Sequence, residues 1–285
     1  MKRTSSIMKS ALWLMLLLIL PLQIIAAELG EAGKRLTALP GVSDVETLKS
    51  KYFQEKYVFF IKQQLNAKDA SKGNFEQRVI LCHRGFDRPT VLVTEGYNAN
   101  YGLREDYIEE LAQIFNTNIV LVEYPTSTSR RLHLATGSIL PWRTRSTTFI
   151  TSTNVFMSFN VQAAKELGYY GYYTKPFKKY LSIKTAKGYL KRLMLPKGME
   201  NTKFSPALYK HTVDFLTHND PKMVYIYGDI DPWSASGIYG LPFTKNKQNL
   251  HVYMLKEGSH LTRILSFPEP ERQKIINLID KWLKE

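Results

Sequence analysis

Two short runs near the end of the chain carry residues that can take part in acid–base chemistry. Residues 228–234 read Gly-Asp-Ile-Asp-Pro-Trp-Ser, residues 258–260 read Gly-Ser-His, and each run directly follows an apolar stretch. An Asp after one strand and a His after a later strand is the chain order of the last two members of a Ser…Asp…His triad. This order predicts that Asp231 is the acid and His260 the base of a hydrolase.

Both residues also have ordinary interpretations. An aspartate in a turn often caps the helix that follows it, and a single histidine in a loop often only faces solvent. We interpret Asp229 as such a turn residue. For Asp231 and His260, the expected order of the pair favours the catalytic interpretation.

The third member of the triad, the nucleophile, is not identified. No Gly-x-Ser-x-Gly pentapeptide occurs in the 285 residues. Ser71 precedes the second predicted strand, so it cannot sit on a strand-to-helix elbow inside a sheet. Three other serines lie at about the right chain position: Ser127, Ser129 and Ser138. None of them combines a small residue two positions before the serine with a small residue two positions after it, as a strained elbow requires.

The remaining histidines and the single cysteine do not indicate a metal or cofactor. No zinc-type spacing and no phosphate-binding glycine loop is present, so we predict neither a metal nor a cofactor. With one cysteine, Cys82, the chain forms no intrachain disulfide. The histidines interpreted as structural are His83, His133, His211, His218 and His251.

The local patterns predict an α/β sheet. Strand patterns alternate with one helical pattern between residues 90 and 123, which is a βαβ unit. A capping-box pattern at residues 43–46 predicts a short helix over 44–50. Strands are predicted at 56–65, 75–83, 90–94 and 118–123, and helices at 105–115, 155–167, 177–181, 185–195, 206–217 and 269–283.

The N-terminal residues are typical of an export signal. A basic start precedes the apolar stretch 11–20, and small residues follow at 26–27. The alternative is a membrane anchor, but the apolar run is shorter than a span requires and Pro21 interrupts it. We therefore predict a cleaved signal peptide, a periplasmic or extracellular location and no membrane span after cleavage.

The positive charge is concentrated in one part of the chain. The net charge is +14. Between Glu123 and Glu200 the sequence contains thirteen Lys or Arg residues and a single acidic residue, Glu166. Such a window indicates either binding to nucleic acid or another anionic surface, or a solvated helical face. For an exported protein we favour the solvated face, and we expect the tyrosine-rich residues 169–173 to pack in a cap rather than stack on bases.

Four motifs resemble a known family. They are Phe-Glu-Gln-Arg-Val at 75–79, Thr-Glu-Gly-Tyr at 94–97, Asp-Pro-Trp-Ser at 231–234 and Gly-Ser-His at 258–260. Over about residues 52–123 and 155–285 the chain resembles exported serine peptidases related to Pro-Xaa carboxypeptidase and dipeptidyl peptidase. The nearest branch is the bacterial secreted tripeptidyl aminopeptidases.

The resemblance implies an α/β-hydrolase core with a helical cap, no metal, and cleavage near the N-termini of peptides, often after proline. It makes Asp231 and His260 the triad acid and base. It also implies a substrate-binding loop of Glu95, Gly96 and Tyr97, in which a carboxylate holds the free amine of the peptide.

Residues 126–153 depart from the family pattern. They contain thirteen Ser or Thr, four Arg and no acid, and they stand where the family has its nucleophile. This composition is typical of an internal deletion or an out-of-frame junction. The predicted organisation is a signal peptide (1–27), the first part of the hydrolase core (28–125), a junction (126–153), a residual cap (154–220) and the second part of the core (221–285).

Without a nucleophile, we expect little or no peptidase activity. We also expect the sheet to lack the strand that belongs between the strands at 118 and 223. One alternative is a non-catalytic peptide-binding remnant that uses the Glu95 loop and the tyrosine-rich cap. Another is a basic surface-binding protein acting through residues 165–197.

Overall fold

A computed structural model describes residues 28–94, 99–123, 131–133, 139–140, 157–168, 174–182 and 188–285 of the chain. The predicted signal peptide lies outside these residues. The described part is an α/β arrangement of two sheets with helices, which confirms the predicted class at that level.

The larger sheet forms from the first half of the chain. Its main strands run in the spatial order β1-β2-β3-β5-β4, and only β4 and β5 are parallel neighbours. Two short strands, β6 and β7, extend the sheet from the first residues of β3. The strands are β1 (Val42–Thr47), β2 (Glu55–Gln64), β3 (Asn74–His83), β4 (Thr90–Thr94), β5 (Asn118–Val122), β6 (Arg131–His133) and β7 (Ile139–Leu140).

The short helix predicted over residues 44–50 is wrong, because this stretch pairs with β2 as strand β1. Val42 and Val45 pack with the buried side chains of Tyr57 and Phe59 in one core cluster. Burial of these two valines against β2 outweighs the local helix-start pattern, as tertiary packing often does for weak propensities. A helix, α1 (Glu31–Thr37), precedes the strand.

The helix between β4 and β5 is shorter than predicted. It is α2 (Glu110–Phe115), whereas the pattern predicted residues 105–115. Lys56, itself buried, donates from Nζ to the Arg104 carbonyl at 2.6 Å, and Tyr107 is buried beside it. These contacts hold residues 104–107 in turns, so the helix begins only after them.

The second half of the chain supplies a two-stranded parallel sheet and most of the helices. The predicted helices at 155–167, 185–195, 206–217 and 269–283 each overlap an observed helix, while residues 177–181 only overlap a 3-10 turn, Lys175–Phe177. The elements are α3 (Met157–Gln162), α4 (Tyr189–Met194), α5 (Ala207–His218), β8 (Met223–Gly228), β9 (Leu250–Leu255) and α6 (Glu271–Lys284).

The two sheets are connected through α2. The Glu110 carboxylate accepts the backbone N–H of Ile264 at 3.0 Å and of Leu265 at 2.7 Å. Leu111 and Ile114 pack against the core cluster that contains Tyr253, Ile264, Phe267 and Ile275. Within the described residues no strand pair joins the sheets, and α2 packs in both cores, with Ala112 in the core of the larger sheet and Leu111 and Ile114 in that of the smaller one.

The predicted position of the missing strand needs a correction. The strand at 118 is β5, and it already pairs with β3 on one side and β4 on the other. In the described part of the sheet, β4 is therefore one of the two edge strands of this order, at the side opposite β1, and its Leu92 is 61% exposed. The expectation was wrong because the two strands are reversed in space relative to the chain. The later strand, β5, lies next to β3, and the earlier strand, β4, lies outside it.

No helix within the described ranges combines the length and the apolar character that crossing a membrane requires.

Replacing Glu110 with Ala should weaken the connection between the sheets. The two backbone N–H groups lose their acceptor, which costs about 1–3 kcal/mol where the groups stay shielded from water. Urea denaturation measures this change in the free energy of unfolding. The control is Glu105→Ala, at an exposed position with no side-chain hydrogen bond, and equal unfolding midpoints for the two variants would contradict the proposed role of Glu110.

Candidate active site

Asp231 lies in a fixed loop directly after β8. It precedes a 3-10 turn, Pro232–Ser236, and its Oδ1 accepts the Trp233 backbone N–H at 3.0 Å. Ser234 Oγ donates to the Gly228 carbonyl at 2.8 Å, which ties the turn back to the strand end. The aspartate therefore does cap a turn, as the ordinary interpretation expected, and it uses one carboxylate oxygen to do so.

The other carboxylate oxygen of Asp231 bonds His260. His260 follows β9, and its Nδ1 lies 2.9 Å from Asp231 Oδ2. An ionised carboxylate only accepts hydrogen bonds, so Nδ1 carries the proton and Nε2 is left to accept one. The aspartate side chain is 10% exposed and the histidine 71% exposed, so the acid is shielded and the ring faces the surface.

Two glycines let the loops approach each other closely enough for this pair to form. The Ile230 N–H donates to the Gly258 carbonyl at 3.1 Å, and the Asp229 N–H donates to the Leu255 carbonyl at 3.1 Å. A Cβ added at Gly228 would lie 2.2 Å from the Gly258 carbonyl oxygen. A side chain at position 228 would therefore push the two loops apart.

The environment lowers the pKa of Asp231. Partial burial acts in the opposite direction and raises it, but hydrogen bonds from the His260 ring and the Trp233 N–H favour the charged form and prevail. The carboxylate therefore stays ionised to a lower pH than an ordinary aspartate. In a triad such a carboxylate orients the imidazole and stabilises the imidazolium.

A cavity of about 330 Å³ opens beside the pair. The Trp233 ring centroid lies 6.3 Å from that of His260, and Arg263 also lines the cavity. Two serines line it as well, but Ser234 Oγ is bound to Gly228 and Ser259 Oγ accepts the Leu261 N–H at 3.2 Å. In the described part of the chain, no serine hydroxyl bonds His260.

Several predicted residues lie outside the described part of the chain. They are the loop of Glu95, Gly96 and Tyr97, the serines Ser127, Ser129 and Ser138, and residues 169–173. Ser71 is described, and its Oγ donates to Asp69 in the turn between β2 and β3.

A buried ion pair, close in the chain to residues 95–98, was not predicted from the sequence. Arg78 Nη2 donates to Glu123 Oε1 at 2.8 Å and to Asn100 Oδ1 at 2.7 Å. Glu123 also accepts the Ala99 N–H at 3.4 Å, so the pair fixes the residues that follow the loop. Arg78 stands inside one of the quoted motifs and Glu123 directly follows β5, but neither feature indicates that the two side chains meet.

Among the described residues, no group of three or more His, Cys, Asp or Glu side chains is placed to hold a metal ion.

The geometry thus defines an α/β protein with a hydrogen-bonded Asp–His pair at the ends of two parallel strands. Residues 28–148 match the sequence profile of the family described as PS-10 peptidase S37. The chain is also similar to the prolyl tri/tetrapeptidyl aminopeptidase of Streptomyces mobaraensis, with 33% identity over 108 residues, which is 38% of this chain and 22% of that protein.

These matches relate the chain to the S37 serine peptidases and confirm the resemblance predicted from the motifs. The chain spans about a fifth of the length of the aminopeptidase that it matches. The family match extends into residues 126–153 and stops at residue 148. Asp231 and His260 lie beyond it, so their geometry is an observation independent of the family match.

Removing His260 should raise the pKa of Asp231. We expect the carboxyl signal of Asp231, followed by NMR, to titrate below the ordinary aspartate value of about 3.9, and His260→Ala to move it upward. The control is His211→Ala, an exposed histidine on α5. Because the folded pKa is lowered, the stabilisation from this group is present above the unfolded-state pKa and is lost as the pH falls through the folded value. A midpoint that His260→Ala does not change would contradict the hydrogen bond.

Gly228→Ala should separate the two loops. Overpacking of this kind costs about 1–3 kcal/mol, and urea denaturation should show it as a lower unfolding midpoint. The same variant should raise the Asp231 pKa, because the His260 ring moves away. The control is Gly85→Ala, where the nearest atom to the new methyl group belongs to the exposed side chain of Asp87. Equal destabilisation by both changes would contradict a specific role for Gly228.

Proposed function

We propose that this protein is an exported α/β-hydrolase of the serine peptidase type that takes the N-terminal ends of peptides, with Asp231 as the acid and His260 as the base. The observation that supports this most strongly is the 2.9 Å bond between His260 Nδ1 and Asp231 Oδ2. It joins loops that follow two adjacent parallel strands, in the chain order that such enzymes use.

In a triad whose nucleophile is present, each member of the pair has one task. Asp231 holds the Nδ1–H and so fixes the tautomer, and His260 Nε2 then accepts the proton of an attacking hydroxyl. The protonated ring is stabilised by the carboxylate and returns the proton to the leaving amine. Chemistry of this kind requires no metal or cofactor.

The proposed substrate end is the free amine of a peptide, held by the loop of Glu95, Gly96 and Tyr97. Two observations concern the described residues on either side of this segment. Strand β4 ends at Thr94 directly before it, and the Arg78–Glu123 pair holds Ala99 directly after it. The name of the similar protein from Streptomyces, a prolyl tri/tetrapeptidyl aminopeptidase, is consistent with a short N-terminal peptide segment as the substrate unit.

The proposal includes low catalytic power. The sequence offers no serine on an elbow motif, and neither of the two serines that line the cavity beside the pair, Ser234 and Ser259, donates a hydrogen bond to His260. A base without a nucleophile retains only the small part of the rate enhancement that binding and charge stabilisation supply. A non-catalytic peptide-binding protein built on the same surface is therefore the second candidate.

A fluorophosphonate probe tests the proposal directly. We expect no covalent labelling of the purified protein and a rate of release from proline-containing N-terminal tripeptide substrates that is indistinguishable from that of His260→Ala. Labelling of a serine, abolished in His260→Ala but not in His218→Ala, would show an active nucleophile and overturn the predicted lack of activity.

Calorimetry with the same peptides separates the two candidates from a protein with no peptide site. Binding that survives His260→Ala and is lost in Glu95→Gln supports a peptide-binding surface. If the wild-type protein neither binds nor cleaves these peptides, the proposal that it recognises peptides is wrong.

A further inference from the structure

A short turn in the predicted cap exposes two aromatic rings on one ordered piece of backbone. The 3-10 turn Lys175–Phe177 is followed by a second turn, and the N–H groups of Tyr180 and Leu181 donate to the Phe177 carbonyl at 2.9 and 3.2 Å. Phe177 is 59% exposed and Tyr180 is 75% exposed. Aromatic rings that could be buried are instead presented to solvent.

The same turn is strongly basic. Lys175, Lys178 and Lys179 are all exposed, and residues 174–182 contain no acid. The Lys179 Nζ lies 4.7 Å from the centroid of the Tyr180 ring. Within the described residues, neither Lys175 nor Lys179 forms an ion pair with an acidic side chain.

We propose that this turn, residues 174–181, binds the surface of a membrane that contains anionic phospholipids. Lysines next to an anionic bilayer gain electrostatic attraction, and aromatic side chains favour the level of the lipid headgroups. Phe177 and Tyr180 stand three residues apart on a helical turn and therefore point to a similar side. The rings enter the headgroup layer while the lysines contact the lipid phosphates.

Lipid fits this surface better than nucleic acid does. Nucleic acid binds through lysines that contact its phosphates and through rings that stack on its bases. Pro176 and Phe177 add exposed apolar area, which inserts favourably into the headgroup layer of a membrane. One turn supplies few contacts, so the association is peripheral and reversible. Each lysine near an anionic surface strengthens binding about five-fold.

Vesicle sedimentation with the full chain tests the proposal. We expect binding to vesicles that contain anionic phosphatidylglycerol mixed with phosphatidylcholine, and much weaker binding to vesicles of phosphatidylcholine alone. Lys175→Gln with Lys179→Gln should weaken binding by about twenty-five-fold. Phe177→Ala with Tyr180→Ala should also weaken it, without any change in net charge.

Matched controls keep the test specific. Lys245→Gln with Lys274→Gln makes the same charge change at exposed positions elsewhere, and Phe86→Ala removes an aromatic ring of similar exposure, 56%. Far-ultraviolet circular dichroism confirms that each variant is folded. The proposal would be overturned if the control variants lost as much vesicle binding as the test variants. It would also be overturned if the protein did not bind vesicles but bound duplex DNA, with an affinity that Phe177→Ala with Tyr180→Ala left unchanged.

Discussion

The parallel pairing of β8 with β9 is the constraint on which the candidate site depends. Met223 lies opposite Leu250 and Gly228 opposite Leu255, so both strands end at the same edge of their sheet. Parallel strands cannot be joined by a tight turn, and the long connection between them separates the two functional residues in the chain. The shared edge brings them back together, and the close contact of Gly228 with Gly258 fixes the distance.

The two halves of the chain contribute different features of the protein. The first half carries the family relationship, through residues 28–148, and holds the flanks of the predicted substrate loop through a buried ion pair. The second half carries the Asp–His pair. The Glu110 carboxylate and the apolar side chains of α2 connect the two halves, whose sheets share no strand pair among the described residues.

Some of the fold could be predicted because the signal was local. Strand β4 was predicted with its observed ends, since five β-branched or apolar residues stand between clear turn signals, and the order of Asp231 and His260 was carried by two short motifs. The strand β1 was missed because its valines are placed by contacts with β2, which a capping-box pattern does not reveal. The neighbours of β5 were also missed, because strand order across a sheet depends on non-local pairing. The same reason hid the contact of Arg78 with Glu123.

The central claim is that Asp231 fixes the tautomer of His260, and the ring nitrogens report this most directly. Nitrogen-15 NMR of the neutral histidine should show the proton on Nδ1 in the wild-type protein, and Asp231→Asn should shift the proton toward Nε2 because the amide can donate to Nδ1. A ring that carries its proton on Nε2 in the wild-type protein, or that responds in no way to Asp231→Asn, would contradict the assignment of this pair as acid and base.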